Sequence, residues 1–291
     1  SGAGGDTAAL PASAAEGDYA PSSRVNFLDI PGTPDDATAA GCDLSGGNNG
    51  TGLAGVLALA GGDLGQFLNP DEMGDISLLL LANLAGWDAG ATGNETVTAD
   101  LNLFNGSLGD EGEFFIDPTS FVDGDPANDP LIHFVDASVE NQLLVTPPSR
   151  FSLSLPIVEG LPIEIALAET ELFADLSVND VGFELKNGVL GGYLGRESIV
   201  ELIVGIQTAC ASDMPPSLCD TVTAVLPIDG DPEDVLPLIL QLIGGFDARI
   251  DGATTTECDP LAADGDPTAC NAVSVCLLIE TEAVKIAGIT P

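Results

Sequence analysis

The tetrapeptide Asp-Gly-Asp-Pro occurs three times, at residues 123–126, 229–232 and 264–267. Each copy places two carboxylates on a turn, because glycine permits the bend and proline stiffens the exit. Ca²⁺ takes about six to eight oxygen ligands, mainly carboxylates and carbonyls, from loops of this kind. The sequence therefore predicts Ca²⁺ at one or more of these turns. The candidate ligands are Asp123, Asp125, Asp129, Asp229, Asp231, Glu233, Asp264 and Asp266.

The same turns have a purely structural interpretation. Aspartate, glycine and proline are common turn formers whether or not a metal binds. Glu233 and Asp234 would then favour the N-terminus of a following helix through its dipole. None of the copies matches a complete EF-hand loop, and they keep no fixed spacing. The sequence leaves both interpretations open.

Few residues could carry out catalysis. His133 is the only histidine, and its apolar, strand-like surroundings at 131–135 favour a structural role. The sequence has no G-x-S-x-G elbow, H-E-x-x-H helix or phosphate-binding P-loop. Paired carboxylates leave a glycoside hydrolase as an alternative, but Trp87, Tyr19 and Tyr193 are the only tryptophan and tyrosines for a sugar platform. We predict that the protein is not an enzyme.

Six cysteines favour disulfides over a zinc site, because no C-x-x-C pair occurs and no histidine lies near a cysteine. Fifteen connectivities are possible for six cysteines. Local bridges give the simplest scheme and leave one distant pair. That scheme is Cys210–Cys219, Cys258–Cys270 and Cys42–Cys276.

The charge balance excludes two classes of partner. Six Lys and Arg against 46 Asp and Glu give a net charge of −40, which excludes nucleic-acid binding and docking on an anionic bilayer. Nevertheless 45% of the residues are hydrophobic, so the chain can bury a core. The expected partners are divalent cations and further copies of the chain in an oligomer or filament, since cations would offset self-repulsion.

The cysteines, together with the absence of a transmembrane run and of a signal peptide from the sequence, indicate where the protein is located. Disulfides persist outside the cytosol, and no apolar run reaches the length of a transmembrane helix. The first residues, Ser-Gly-Ala-Gly-Gly-Asp, carry no signal peptide. We therefore expect the mature form of an exported protein, extracellular or on the outer cell surface. A lipid anchor upstream of Ser1 would suit such a start.

Alternating apolar residues predict strands in the middle of the chain. Val97, Ala99, Leu101 and Leu103 alternate with polar residues, and two further alternating runs follow within 151–167. The apolar parity changes between 163 and 178, which predicts a bulge or bend near Glu169. Asn187-Gly188 between apolar residues predicts a two-residue hairpin. Residues 95–195 are therefore expected to form the sheet core.

The flanking segments predict helices and one closing strand. Residues 1–52 are interpreted as an arm or linker with one short strand, and 53–291 as a single β-rich domain. A helix capped by Asp71 and running through Ile76 to Leu84 and a buried strand over 76–82 are both plausible. Helices follow over 196–246, including one at 217–226, and 247–291 form a disulfide-rich loop and a strand. The predicted class is α+β, an antiparallel sandwich or open barrel with a C-terminal disulfide-stapled helical segment.

Two segments carry a family resemblance. Phe183–Gly195 and Cys270-Asn-Ala-Val-Ser-Val-Cys276 resemble recurrent segments of uncharacterised secreted proteins and lipoproteins of myxobacteria-like bacteria. In those proteins a strand ends in a glycine-rich turn before a helix pair, and a cysteine-bounded strand closes the domain. The resemblance spans about residues 95–290. It implies export and a surface location, with no activity or functional residue to transfer.

Three functions compete at this point. The first is a secreted or surface-anchored structural or adhesive protein, assembled into a coat or filament and stabilised by Ca²⁺ and disulfides. The second is an extracellular carrier of lipid or another apolar ligand, because curved strands with many small residues can enclose a cavity. The third is an acid-rich glycoside hydrolase. Self-association would support the structural protein, a cavity inside the sheet would support the carrier, and a cleft with two facing carboxylates would support the hydrolase.

Overall fold

A computed structural model describes the larger part of the chain. Residues 1–18 and Asp264 lie outside the described residues. The predicted helix at 217–226 also lies outside them, apart from Cys219. The described residues are 19–42, 44, 50–54, 64–70, 76–88, 91, 93–110, 112–158, 161–212, 215, 219, 227, 229–252, 254–263 and 265–290.

Eight antiparallel strands close into a barrel, because the strand Val97–Leu108 pairs with Leu80–Ala85 on one side and with Ile132–Glu140 on the other. In their order around the barrel they are β1 (Ser22–Asp29), β2 (Leu80–Ala85), β3 (Val97–Leu108), β5 (Ile132–Glu140), β6 (Leu143–Val145), β8 (Leu161–Val178), β9 (Phe183–Gly195) and β12 (Ala272–Ala283).

Additional strands extend the barrel wall. β7 (Ser149–Val158) follows β6 along the same edge of β8. β4 (Phe114–Ile116) pairs with β3, and β13 (Ile286–Ile289) adds to β4 in parallel. A separate hairpin joins the short strands β10 and β11. Their bounds are Arg249–Asp251 and Thr254–Thr256.

Helices pack against the strands of the barrel. Helix α1 (Pro34–Ala40) begins at Thr33, whose side chain accepts a hydrogen bond from the Asp36 N–H. α2 (Gly65–Leu68) is a single turn. α3 (Arg196–Cys210) continues directly from β9, and α4 (Pro232–Leu242) packs against α3. Two short 3₁₀ turns precede β5, at Pro118–Ser120 and Val122–Gly124.

The barrel interior is the main hydrophobic core. Alternate residues of each strand point inward, so the pattern seen at Val97–Leu103 places Ala99, Leu101 and Leu103 in the core. Helices α3 and α4 contribute Ile199, Ile203 and Val235 to the same cluster. The two helices therefore add apolar side chains to the barrel core.

Two smaller clusters cover parts of the outer wall. Tyr19, Phe104 and Phe121 pack with β13 residues outside β2 and β3. Outside β9 and β12, Cys42 and Cys276 pack with Ala37 of α1 and with Val189. The structure therefore buries both faces of several strands, which explains why these strands are apolar without clean alternation.

Several sequence-based predictions of elements need correction. The barrel is closed, whereas the sequence predicted a sandwich or an open barrel. Residues 95–195 form only part of it, because β1, β2 and β12 complete the ring. Of the two alternatives for 76–84, the buried strand is correct, with bounds 80–85. The strand expected within 1–52 is confirmed as β1, although its place in the barrel was not expected.

Asn187 and Gly188 do not form the predicted hairpin. β9 runs without interruption through both residues and pairs with β8 and β12. Lys186 and Val189 of β9 both pair with β8, and the segment of β9 between them has one more residue than the facing segment of β8. Asn187, in this segment, has φ of 50°. The dipeptide therefore makes a β-bulge, because pairing on both sides holds the strand extended.

The bulge predicted near Glu169 is confirmed. Between Ala168 and Glu171, β8 has one more residue than β9, and Glu169 has φ of 49°. The bulge shifts the inward face by one position, so Leu167 before it and Leu172 after it are both buried. The parity change in the sequence has this geometric cause.

Candidate functional site

The described acidic turns share one local structure. In each, the second aspartate of Asp-Gly-Asp-Pro accepts a hydrogen bond from the backbone N–H two residues further on. The Oδ1–N distances are 3.0 Å for Asp125 to Ala127, 3.0 Å for Asp231 to Glu233 and 2.9 Å for Asp266 to Thr268. This is an Asx-turn across the proline. The repeated tetrapeptide is therefore a repeated turn.

The second turn also starts helix α4. Asp231 is the N-cap, Pro232 occupies the first helical position, and Glu233 and Asp234 lie in the first turn. Gln207 of α3 donates to the carbonyl of Gly230 at 3.0 Å and so attaches the turn to the neighbouring helix. Two of the three residues predicted to bind metal at this turn, Asp231 and Glu233, thus lie at the start of the helix, where Asp231 caps it.

The third turn holds its carboxylate in the charged form. The backbone N–H and the hydroxyl of Thr268 both donate to Asp266, and Arg249 adds a weaker electrostatic contribution. These hydrogen bonds keep the pKa of Asp266 below its ordinary value, because they stabilise the carboxylate and not the acid. Asp264, the other predicted ligand in this turn, lies outside the described residues.

Calcium binding at these turns stays a prediction. Their described carboxylates are all exposed, on Asp123, Asp125, Asp129, Asp229, Asp231, Glu233 and Asp266. Among the described residues, no three side chains of His, Cys, Asp or Glu come close enough to hold one ion. A Ca²⁺ ion at a turn would therefore take most of its oxygens from backbone carbonyls and water.

All six cysteines form disulfides, and the pairs are those of the simplest scheme. Cys210–Cys219 and Cys258–Cys270 close short loops, with sequence separations of 9 and 12 residues. Cys42–Cys276 spans 234 residues and ties the segment after α1 to β12 on the outside of the barrel. These predictions are confirmed.

Described residues of the barrel interior line one small apolar cavity. This cavity, of about 10 Å³, lies where the β7–β8 hairpin faces β1 and β12. Leu28, Phe151 and Val275 are among its lining residues. A volume of this size is close to that of one water molecule, and an apolar cavity of this kind stays dry. This cavity by itself is therefore too small to hold an apolar ligand.

A polar row crosses the outer wall where the barrel closes. Asn83 of β2, Asn102 of β3 and His133 of β5 lie opposite one another in the strand register. Asp100 lies two residues before Asn102, and its Oδ2 is 3.5 Å from Nε2 of His133. The sequence placed Asp100 and Asn102 on one face of a strand. It could not reveal that His133 opposes them, because strand register is not visible in a single sequence.

The closing strands are irregular at this row. β5 carries one extra residue opposite Asp100, and Asp136 in this bulge has φ of 56°. The N–H of Asp136 donates to Oδ1 of Asp100 at 2.8 Å. One carboxylate oxygen is therefore committed to the bulge, while the other faces the histidine.

Comparisons with known proteins find no counterpart: no protein-family model, curated protein or solved structure matches the chain. The fold and the polar row must therefore be interpreted from their own geometry. A search of the described helices finds none that is long and apolar enough to cross a membrane.

Proposed function

We propose that the protein is a secreted or surface-displayed structural protein without enzymatic activity, and that it packs with other copies in an extracellular layer or filament. The observation that supports this proposal most strongly is the large apolar core of the barrel. Buried aliphatic and aromatic side chains of the strands form one cluster with side chains of α3 and α4. The cavity near Leu28 measures about 10 Å³. Such a barrel is suited to serve as a rigid body.

The disulfides favour the same proposal. Three cross-links in one chain suit an oxidising environment outside the cytosol. The Cys42–Cys276 bridge fastens the N-terminal segment to a central barrel strand, so local opening of that segment is restricted. A structural protein exposed to proteases benefits from this restraint.

The surface charge sets the conditions for packing. Among the described residues, four basic side chains pair with a carboxylate, in the pairs Arg24–Glu282, Lys186–Glu280, Arg196–Glu233 and Arg249–Asp251. A second copy therefore offers few basic side chains to an acidic neighbour. We infer that copies associate only when dissolved cations, including Ca²⁺, reduce their repulsion.

Ring closure limits how the copies join. A closed barrel removes most of the free strand edges through which sheets extend from one molecule to the next. Packing through side chains on the outer wall fits this geometry better than strand addition. The proposed layer or filament is therefore cation-dependent and held together by side-chain contacts.

Sedimentation velocity tests the proposal. The native protein is expected to be monomeric in low salt with chelator and to form larger species when CaCl₂ is added. NaCl at the same ionic strength is the matched control and separates screening from a divalent effect. A particle of constant size under all these conditions would contradict the assembly part of the proposal.

Native mass spectrometry tests the alternative of an apolar-ligand carrier. The expected mass is that of the 29.4 kDa chain with three disulfides and no bound lipid. Recovery of a stoichiometric lipid by solvent extraction would replace the structural proposal with the carrier. The glycoside hydrolase stays an untested alternative, and a screen with chromogenic glycosides would reveal it.

A further inference from the structure

The chain's only histidine lies among polar side chains of a kind that bind transition metals. We propose that His133, Asp100 and Asn102 form a site for a divalent transition-metal ion of the zinc class on the outer wall of the barrel. The proposed ligand atoms are Nε2 of His133, Oδ2 of Asp100 and Oδ1 of Asn102. This site is separate from the acidic turns and independent of the structural function.

The distance between the histidine and the aspartate fits a shared ion. Nε2 of His133 and Oδ2 of Asp100 are 3.5 Å apart, which exceeds the usual length of a direct hydrogen bond between them. Two ligand atoms on one tetrahedral Zn²⁺ are separated by about 3.4 Å, given bonds of about 2.0–2.2 Å. The pair is therefore spaced for coordination without a large movement of either side chain.

Asn102 provides an independent reason to expect a ligand. Its side chain is only 2% exposed, and its Oδ1 has no hydrogen-bond partner among the described residues. Its Nδ2 donates to Oδ1 of Asn83 on the β2 side at 2.9 Å, so its own oxygen is directed away from Asn83. His133 lies on that opposite side in the strand register. A buried acceptor without a donor is unfavourable unless water or an ion satisfies it.

The strand arrangement brings the three residues together. Asp100 and Asn102 occupy alternate positions of β3 and share its outer face, while His133 is directly opposite Asn102 on β5. Opposite side chains on neighbouring strands have Cβ atoms about 4.5–5.5 Å apart. Two positions on one strand and one on the next form the smallest triangle that a sheet offers for three ligands.

Hydrogen bonds with neighbouring groups hold Asp100 and the backbone of His133 in place. The bulge N–H of Asp136 donates to Oδ1 of Asp100, which leaves Oδ2 for the ion. The carbonyl of His133 accepts from the Ser149 hydroxyl at 2.8 Å and so fixes this part of β5. The side chains of His133 and Asp100 are 19% and 35% exposed, so an ion can reach them from solvent.

The imidazole determines which metals the site prefers. A mixed set of one nitrogen and two oxygens suits Zn²⁺, Ni²⁺ or Cu²⁺ better than Ca²⁺, which takes oxygen ligands and more of them. The net charge of −40 raises the local concentration of every cation. Selectivity for the zinc class therefore rests on His133.

Nuclear magnetic resonance of the imidazole ring tests this site directly, because a single histidine gives a single set of ring signals. We expect Zn²⁺ to shift these signals with one-to-one stoichiometry, in about 0.15 M NaCl with excess Mg²⁺ to suppress diffuse binding. Asp100→Asn keeps an acceptor oxygen for Asp136 and should weaken Zn²⁺ binding at least about tenfold. Asn102→Asp should restore or strengthen binding in the Asp100→Asn background.

The matched control is Asp125→Asn, which removes an acidic side chain from a remote turn. It should leave the Zn²⁺ affinity unchanged. Ring signals that do not respond to Zn²⁺ in the native protein would overturn the proposal. An equal response in the Asp100→Asn variant would overturn it as well, since binding would then be diffuse. Circular dichroism of each variant confirms that the barrel is folded.

Discussion

At the scale of single residues, the repeated aspartates act first through their hydrogen bonds. Replacing Asp231 by alanine removes the acceptor that caps α4, and we expect the free energy of unfolding to fall by about 1 kcal/mol. Denaturant titration measures this change. Asp231→Asn keeps an acceptor and should lose less. Asp229→Ala is the matched control in the same turn, and a loss as large as that of Asp231→Ala would contradict the capping role.

Thr268 should control the ionisation of Asp266. Replacing Thr268 by valine removes the hydroxyl donor but keeps the backbone N–H, so the pKa of Asp266 should rise toward its ordinary value while staying below it. Because the folded-state pKa is lowered, the stabilisation is complete above the unfolded-state pKa and is lost as the pH falls through the folded-state pKa. Carbon-detected titration of the carboxyl group measures the shift. An unchanged titration curve would mean that the hydroxyl makes no contribution.

At the scale of elements, Gly188 shows why a short motif predicts the wrong structure. A hairpin would need the glycine for its positive φ, whereas in the bulge it is needed for space: a Cβ there would lie 2.3 Å from the Ile279 carbonyl oxygen of β12. Gly188→Ala should therefore destabilise the protein by about 1–3 kcal/mol in thermal or denaturant unfolding. Gly205→Ala, in open space on α3, should be neutral or stabilising by up to about 1 kcal/mol. Equal effects of the two substitutions would contradict the close approach.

Local patterns predicted the elements whose signal lies within their own sequence. The alternation at Val97–Leu103, the parity change at Glu169 and the apolar face of α3 all follow from the periods of strand and helix. Ring closure depended on pairings between distant segments, such as β1 with β12, and no local pattern encodes them. The row of Asn83, Asn102 and His133 was missed for the same reason.

At the scale of the whole molecule, the disulfides should contribute unequally to stability. In the loop-closure model, a bridge spanning 234 residues stabilises by about 5 kcal/mol and one spanning 12 residues by about 3 kcal/mol. The double replacement of Cys42 and Cys276 by alanine should therefore lower the free energy of unfolding by more than that of Cys258 and Cys270. Denaturant unfolding of the two variants measures the difference, and the reverse order would indicate that loop closure does not dominate.

The net charge of −40 predicts a protein whose stability depends on salt. Repulsion among exposed carboxylates acts over about 30 Å in 0.01 M salt and about 3 Å in 1 M salt, so NaCl should raise the thermal midpoint.

Screening depends on ionic strength alone, whereas an ion bound to the folded state adds stability that grows with the logarithm of its concentration. CaCl₂ should therefore raise the midpoint above NaCl at equal ionic strength if the Asp-Gly-Asp-Pro turns bind Ca²⁺. Because Asp125→Ala and Asp266→Ala remove turn carboxylates, they should reduce that excess. If the thermal midpoint depends on ionic strength in the same way in both salts, the turns have a purely structural role. The carboxylates then affect stability only through diffuse repulsion.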